Sequence, residues 1–147
     1  MIATLKDYDD VISAFRLYRN VFPHLSPTDI KKSIQNKELI WKYGVVIQFK
    51  YYKQKRKKGT FTTKVGDINL IKMCKVNGGM PDTVFNEWLD LFERGRIVLS
   101  VRQNNHRAIK FYKRHNFKTR TEISWNKDKI KGYVMTLDFD RTKKQRI

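Results

Sequence analysis

The chain has 147 residues, of which 40% are hydrophobic and 13% aromatic; that is enough apolar material for a single packed domain over 1–147 and too much for a disordered chain. Its 32 Lys and Arg against 14 Asp and Glu give a net charge of +18, which draws polyanions in a salt-dependent way. No apolar run approaches the ~18 residues that span a bilayer, the first residues lack a signal-peptide pattern, and a lone Cys74 cannot close an internal disulfide. A soluble protein of a reducing, cytoplasmic compartment is therefore expected, with no membrane partner and with Cys74 as a small buried hydrophobe.

Residues 2–5 read as a first strand. Val11, Ile12, Phe15, Tyr18 and Phe22 then trace an apolar stripe at helical spacing, which Pro23 ends. Ser26-Pro27-Thr28-Asp29 has the pattern of a helix start, with a hydroxyl cap, a proline in the first turn and an acid three residues after the cap. Ile30 and Ile34 continue that second helix. Strands are expected at residues 40–52, 60–65 and 67–76. Val45, Ile47, Phe49 and Tyr51 share one face before the basic run of residues 50–59, and Phe61 and Thr63 share one after it, which makes the run a hairpin tip. Val84, Phe85, Trp88, Leu89 and Phe92 line the buried side of a third helix, closed at Arg94-Gly95.

Val98, Leu99 and Val101 mark a covered strand that Asn104 and Asn105 stop; either Asn side chain can accept from the first N–H groups of a helix beginning there. On that helix Ala108, Ile109, Phe111 and Tyr112 share a side. Asn116 is a left-handed stop, and Phe117 returns the chain to the core. Residues 121–126 and 132–139 read as a final hairpin with Tyr133, Met135 and Leu137 facing one way. No internal repeat and no metal-ligand spacing is present.

The stretch from Leu99 to Phe117 resembles the signature in the C-terminal half of the GNAT family of acyl-CoA N-acyltransferases. The matching residues are Leu99, Val101, Asn105, Ala108, Phe111, Tyr112 and Phe117, with Asn116 in place of the family's glycine. The resemblance implies an α/β (α+β) fold: a mixed, largely antiparallel sheet of six to seven strands, flanked by about four helices and splayed between its fourth and fifth strands. It also implies acetyl-CoA or another acyl-CoA as cofactor, with Asn105 and Ala108 on the pantetheine and adenosine side. Tyr112 is then the general acid for the departing thiolate, and a backbone N–H near Met73 to Lys75 the oxyanion donor. Where the family carries a glycine-rich pyrophosphate loop, this chain has Val76-Asn-Gly-Gly-Met-Pro-Asp-Thr83. Gly78, Gly79 and Thr83 are the candidates there, and Pro81 removes one donor. That turn is also similar to the phage Mom proteins, GNAT-like enzymes that modify adenine in DNA.

The general base is not marked by any motif. Asp67, Glu38 and Glu122, first of all surface carboxylates, and His24 are the candidates, while His106 and His115 stand among Arg and Lys and are expected to face solvent. The resemblance thus implies an enzyme, an acyl-CoA-dependent N-acyltransferase acting on an amine. The charge adds an acidic or nucleic-acid-associated acceptor. Lys53, Lys55, Arg56, Lys57 and Lys58 form the expected phosphate-holding cluster, beside Tyr51 and Tyr52 as stacking rings; a plain solvated loop is the equal alternative. The basic residues of 141–146 add to either. The competing class is a noncatalytic GNAT-shaped module that holds DNA, RNA or a protein.

Overall fold

The computed structural model describes residues 1–140, so the basic stretch 141–146 lies outside the described residues. Helix α1 (Tyr8–Arg16) buries Val11, Ile12, Ala14 and Phe15, and α2 (Pro27–Gln35) buries Ile30 and Ile34 in the same cluster. The start of α2 is where its sequence pattern places it: the Ser26 hydroxyl accepts from the Asp29 N–H at 3.3 Å and Pro27 opens the helix.

The apolar stripe predicted to continue to Phe22 leaves the helix after Arg16 and proceeds through turns. Its packing survives, with Phe22 set edge-on to Phe15 at 5.6 Å. The cause is visible at Tyr18, whose hydroxyl donates to the Lys75 carbonyl at 2.6 Å and ties this segment down. The expected first strand also shrinks to an isolated bridge between Ile2 and Ile40. There the Asp7 carboxylate accepts from the Thr4 N–H at 2.9 Å and turns Leu5–Asp7 into a single 3-10 turn.

The segment expected as one strand over 40–52 is a hairpin, β1 (Leu39–Lys42) and β2 (Val45–Tyr51), paired from Leu39↔Gln48 to Lys42↔Val45. Its two-residue turn places Tyr43 at φ 46° and Gly44 at φ 68°, the left-handed pair such tight hairpins need. Val45 through Phe49 are all buried, so β2 is covered on both faces and does not alternate.

A small separate hairpin follows, β3 (Lys57–Lys58) and β4 (Phe61–Thr62). Its tip is Gly59-Thr60, and the basic run forms the approach and first arm. Then come β5 (Ile68–Lys75), α3 (Pro81–Leu89), β6 (Arg94–Arg102), α4 (His106–Arg114), β7 (Lys118–Trp125) and β8 (Ile130–Asp140). Arg94 and Gly95, expected to close the third helix, open β6, because they pair with Asp140 and Phe139 of β8. The six-stranded sheet runs β1-β2-β5-β6-β8-β7. It is mixed: β5 and β6 are parallel, whereas β1–β2, β6–β8 and β7–β8 are antiparallel. With four α-helices this is the α/β architecture expected.

The chain gathers into two compact units. The first, Met1–Lys50 with Leu70–Phe92, holds the α1–α2 cluster and an aromatic group in which Phe49 meets Trp88 at 5.4 Å and Phe92 at 5.9 Å. The second holds Tyr51–Asn69 and the described part of Glu93–Ile147. Its core includes Phe61, Val98 and Val134, and the parallel ladder of β5 with β6, Ile68↔Ile97 and Asn69↔Val98, lies inside it. No helix among the described residues is long and apolar enough to cross a membrane.

Candidate functional site

In the first unit, Met73 and Lys75 are half-buried on β5, and the chain then turns through Val76–Met80 into α3. This turn is sewn to the β1–β2 turn. The Val76 N–H donates to the Gly44 carbonyl at 2.8 Å, the Met80 N–H to the Tyr43 carbonyl at 3.1 Å, and the Gly79 N–H to the Val76 carbonyl at 2.9 Å. A Cβ on Gly79 would lie 2.7 Å from the Gly44 carbonyl oxygen, so this glycine provides room for the two turns to touch. Its N–H is already used.

Gly78 differs. It has φ 81°, is exposed, and would meet nothing with an added Cβ; its N–H and that of Asn77 make no backbone hydrogen bond among the described residues. Immediately beyond, α3 has no side-chain cap: Met80 occupies the cap position, Pro81 the first turn, and Thr83 is exposed on that same turn. First-turn N–H groups lack intrahelical acceptors and favour an anion. This corner offers the Asn77 and Gly78 N–H groups and the Thr83 hydroxyl to an anion, against the opposing charge of Asp82. The uncapped start was legible only as a Pro-begun helix, and the committed N–H groups had no sequence signal.

In the second unit, Asn105 caps α4, its Oδ1 accepting from the Ala108 N–H at 3.2 Å. Asn105 and Ala108 are both half-buried. Asn105 was expected both as a cap and as a cofactor contact; its carbonyl oxygen serves the cap, which leaves the side-chain NH2 for any ligand. Tyr112 packs its half-buried ring against Phe111 at 5.6 Å and Phe117 at 5.3 Å. Asn116 takes the expected left-handed conformation at φ 71° and Phe117 is buried. The Tyr112 hydroxyl makes no hydrogen bond among the described residues, and burial pushes its phenol above the ordinary tyrosine range, which keeps the proton on oxygen.

The base candidates separate cleanly. Asp67, expected at the surface, is buried: its Oδ2 accepts from Arg96 Nη2 at 2.6 Å, Arg96 Nε at 3.1 Å and the Lys64 N–H at 2.8 Å. Every donor that reaches it is structural, so Asp67 is removed as a base. Glu38 is half-buried, while Glu122 and His24 are exposed. His106 is exposed and His115 is half-buried, its ring tilted by 44° against Phe111 at 4.5 Å, which corrects the expectation of a solvent-facing side chain. Cys74 packs against the first unit's core, and burial pushes its thiol up to about 12, as suits an inert side chain. No cluster of metal-ligating side chains occurs among the described residues.

The basic cluster is divided. Lys53, Lys55, Arg56 and Lys57 are exposed, but Lys58 is half-buried with Nζ 3.5 Å from Ser100 Oγ, and burial lowers its pKa. Tyr52 is not a stacking ring: it packs on the Phe61, Val98 and Val134 cluster with its hydroxyl buried and unbonded. Two features had no motif, the Tyr43-Gly44 turn and the Tyr18 contact. A Tyr-Gly pair between apolar runs was the available signal for the first; the second had none, since its partner is a backbone carbonyl far along the chain.

No protein-family model matches this sequence, and no curated protein matches it. Solved structures do. Arabidopsis thaliana Naa50 in complex with the bisubstrate analogue CoA-Ac-MVNAL superposes with a TM-score of 0.68 at 18% identity, covering 93% of this chain and 95% of that one. Arabidopsis thaliana NAA60 with a bisubstrate analogue gives 0.65 at 15% identity over 95% and 98% of the two chains. The GNAT-family acetyltransferase of Streptococcus pneumoniae gives 0.66 at 13% over 95% and 97%. The chain has the GNAT fold.

Proposed function

We propose that this protein is an acyl-CoA-dependent N-acetyltransferase. The fold likeness carries the reading: the similar structures include acetyltransferases, Naa50 with the bisubstrate analogue CoA-Ac-MVNAL and NAA60 with acetyl-CoA, and the likeness runs through nearly the whole chain. The acyl-CoA supplies an activated thioester. Its diphosphate is assigned to the Asn77–Gly78 turn and Thr83, where N–H donors are open, and Gly79 holds that turn in place. Asn105 and Ala108 are assigned to the pantetheine side. A backbone N–H between Met73 and Lys75 faces the charge that develops on the carbonyl oxygen.

Tyr112 is assigned the proton that the departing sulfur requires. Burial keeps the phenol protonated through the neutral range, so its proton is present to be given to the sulfur. As the acceptor nitrogen bonds to the acyl carbon and the C–S bond breaks, the phenolic proton passes to sulfur, the nitrogen's extra proton leaves to water, and solvent reprotonates the phenolate. With Asp67 bound to Arg96, proton removal falls to solvent or to Glu38, Glu122 or His24.

Calorimetric titration with acetyl-CoA tests the reading. A micromolar constant, about −8 kcal/mol, is expected, together with a rise in melting temperature; at a ligand excess of ~100 over Kd the stabilisation is about 2.7 kcal/mol. Neither heat nor thermal shift at millimolar acetyl-CoA would overturn it.

A further inference from the structure

The β3–β4 hairpin is bolted to the second unit's sheet. Its Phe61 is buried against Val98 and Val134, and the guanidinium groups of Arg96 and Arg120 lie 4.7 Å and 5.1 Å from the Phe61 ring centre. Its tip is fixed to β7: the Thr60 N–H and hydroxyl lie 3.3 Å and 3.0 Å from Thr121 Oγ1, and a Cβ on Gly59 would come within 2.7 Å of the Glu122 carbonyl oxygen. The contact falls at the irregularity between Thr119 and Thr121 in β7, which sets Arg120 beside the hairpin.

A flexible basic loop spends conformational entropy to meet a ligand; an anchored one presents its charges already in place. Residues 50–64 contain Lys50, Lys53, Lys55, Arg56, Lys57, Lys58 and Lys64 and no acidic residue. Of these only Lys58 turns inward. Lys118 and Arg120 on β7 are exposed as well; of the acids nearby, Asp67 is buried and neutralised by Arg96, and Glu122, beside the hairpin tip, is exposed.

We infer that this anchored basic face binds the phosphate backbone of duplex nucleic acid. Two observations select that partner. Between Lys53 and Lys64 no large apolar side chain is exposed, the exposed Tyr51 and Val65 standing at the two ends of that stretch, so the centre of the face is polar and cationic like a nucleic-acid interface rather than apolar like the centre of a protein-binding surface. Single-strand binders add aromatic platforms on which successive bases stack, yet Tyr52 is packed inward and Phe61 is buried, which leaves Tyr51 at the start of the run as the one exposed ring there. A single ring makes no platform for successive bases, and the charges around it grip phosphates and read no bases, which is backbone binding without sequence preference. The inference stands apart from the acyl-CoA reading, since it uses none of those residues.

Fluorescence anisotropy of the full chain, without acyl-CoA, tests it with a labelled DNA duplex of roughly 20 base pairs, about two helical turns, and a thymidine single strand of equal length. Duplex binding at least as tight as single-strand binding is expected, weakening steeply with salt. Replacing Lys53, Lys55, Arg56 and Lys57 together by Gln should lower the slope of log K against log salt by about 3.6, at ~0.9 for each phosphate contact. Lys58→Gln should leave the slope unchanged. Should the quadruple variant fail to melt as a folded protein, the pairs Lys53→Gln with Lys55→Gln and Arg56→Gln with Lys57→Gln should each remove about half of it. An unchanged slope in folded variants, tighter binding of the single strand, or tighter binding of polyglutamate, which would mark an acidic protein partner, overturns the inference.

Discussion

Helices α3 and α4 both start just after a strand and a turn, and their first turns are built in opposite ways. At α4 the Asn105 side chain accepts from the Ala108 N–H, so the protein itself occupies part of the helix's positive end. At α3 the cap position is Met80, which offers no acceptor, and the turn before it carries an open Gly78. A side-chain cap stabilises a helix by the same donors that an anionic ligand needs. The uncapped start is therefore the one we propose for phosphate, and Tyr112 is proposed to act from the capped helix.

The largest expected effect tests what α4 presents. Tyr112→Phe removes only the hydroxyl; turnover with acetyl-CoA and an amine should fall by about 10² to 10⁴, the usual worth of a general acid, while calorimetric affinity for acetyl-CoA stays put. Since burial raises the phenol's pKa, the activity of the parent protein should show no loss from phenol ionisation as pH rises through the neutral and mildly basic range. Equal turnover in the variant would reduce Tyr112 to a packing residue.

Next comes the turn before α3. Gly79→Ala drives a methyl against the Gly44 carbonyl, 2.7 Å away, and should cost about 1 to 3 kcal/mol in urea denaturation, as overpacking does. Acetyl-CoA affinity should fall with it. Gly78→Ala has open space but a left-handed backbone at φ 81°, and should cost about 1 to 2 kcal/mol. If Gly79→Ala were silent, the two turns would not be coupled as drawn.

Removing the cap is a smaller change. Asn105→Ala should destabilise by about 1 kcal/mol, visible as a lower denaturation midpoint, and less than Gly79→Ala does. A loss well above that would mean Asn105 holds more than the helix start.

The smallest effect concerns Cys74. Its thiol is raised from 9.0 to about 12 in the folded chain. Folding therefore favours the protonated thiol: this contribution is complete below pH 9 and is lost as pH climbs from 9 to 12. Cys74→Ala should show a shallower loss of stability across that window than the parent chain. Identical pH slopes would place the thiol in a wetter setting.

Much of the fold was readable locally. The Ser26 cap, the left-handed Asn116 and the final β7–β8 hairpin follow from interactions among residues a few positions apart, which composition and spacing encode directly. The candidate site was readable in part for the same reason, since Asn105, Ala108 and Tyr112 are one turn apart on a single helix. The stripe that stopped at Arg16, the split at Tyr43-Gly44 and the inward turn of Tyr52 were not, because each answers to a distant partner: the Lys75 carbonyl, the Val76–Met80 turn, and the Phe61 cluster.

Composition and periodicity alone established a basic chain of helices and strands with one capped, aromatic helix after a covered strand. Only the folded arrangement decided which glycine makes room and which stays open, which carboxylate is locked to an arginine, and which lysines of the basic run face water. Those outcomes depend on atoms brought together from far along the chain, where a hydrogen bond or a clash of a few tenths of an ångström outweighs any local preference.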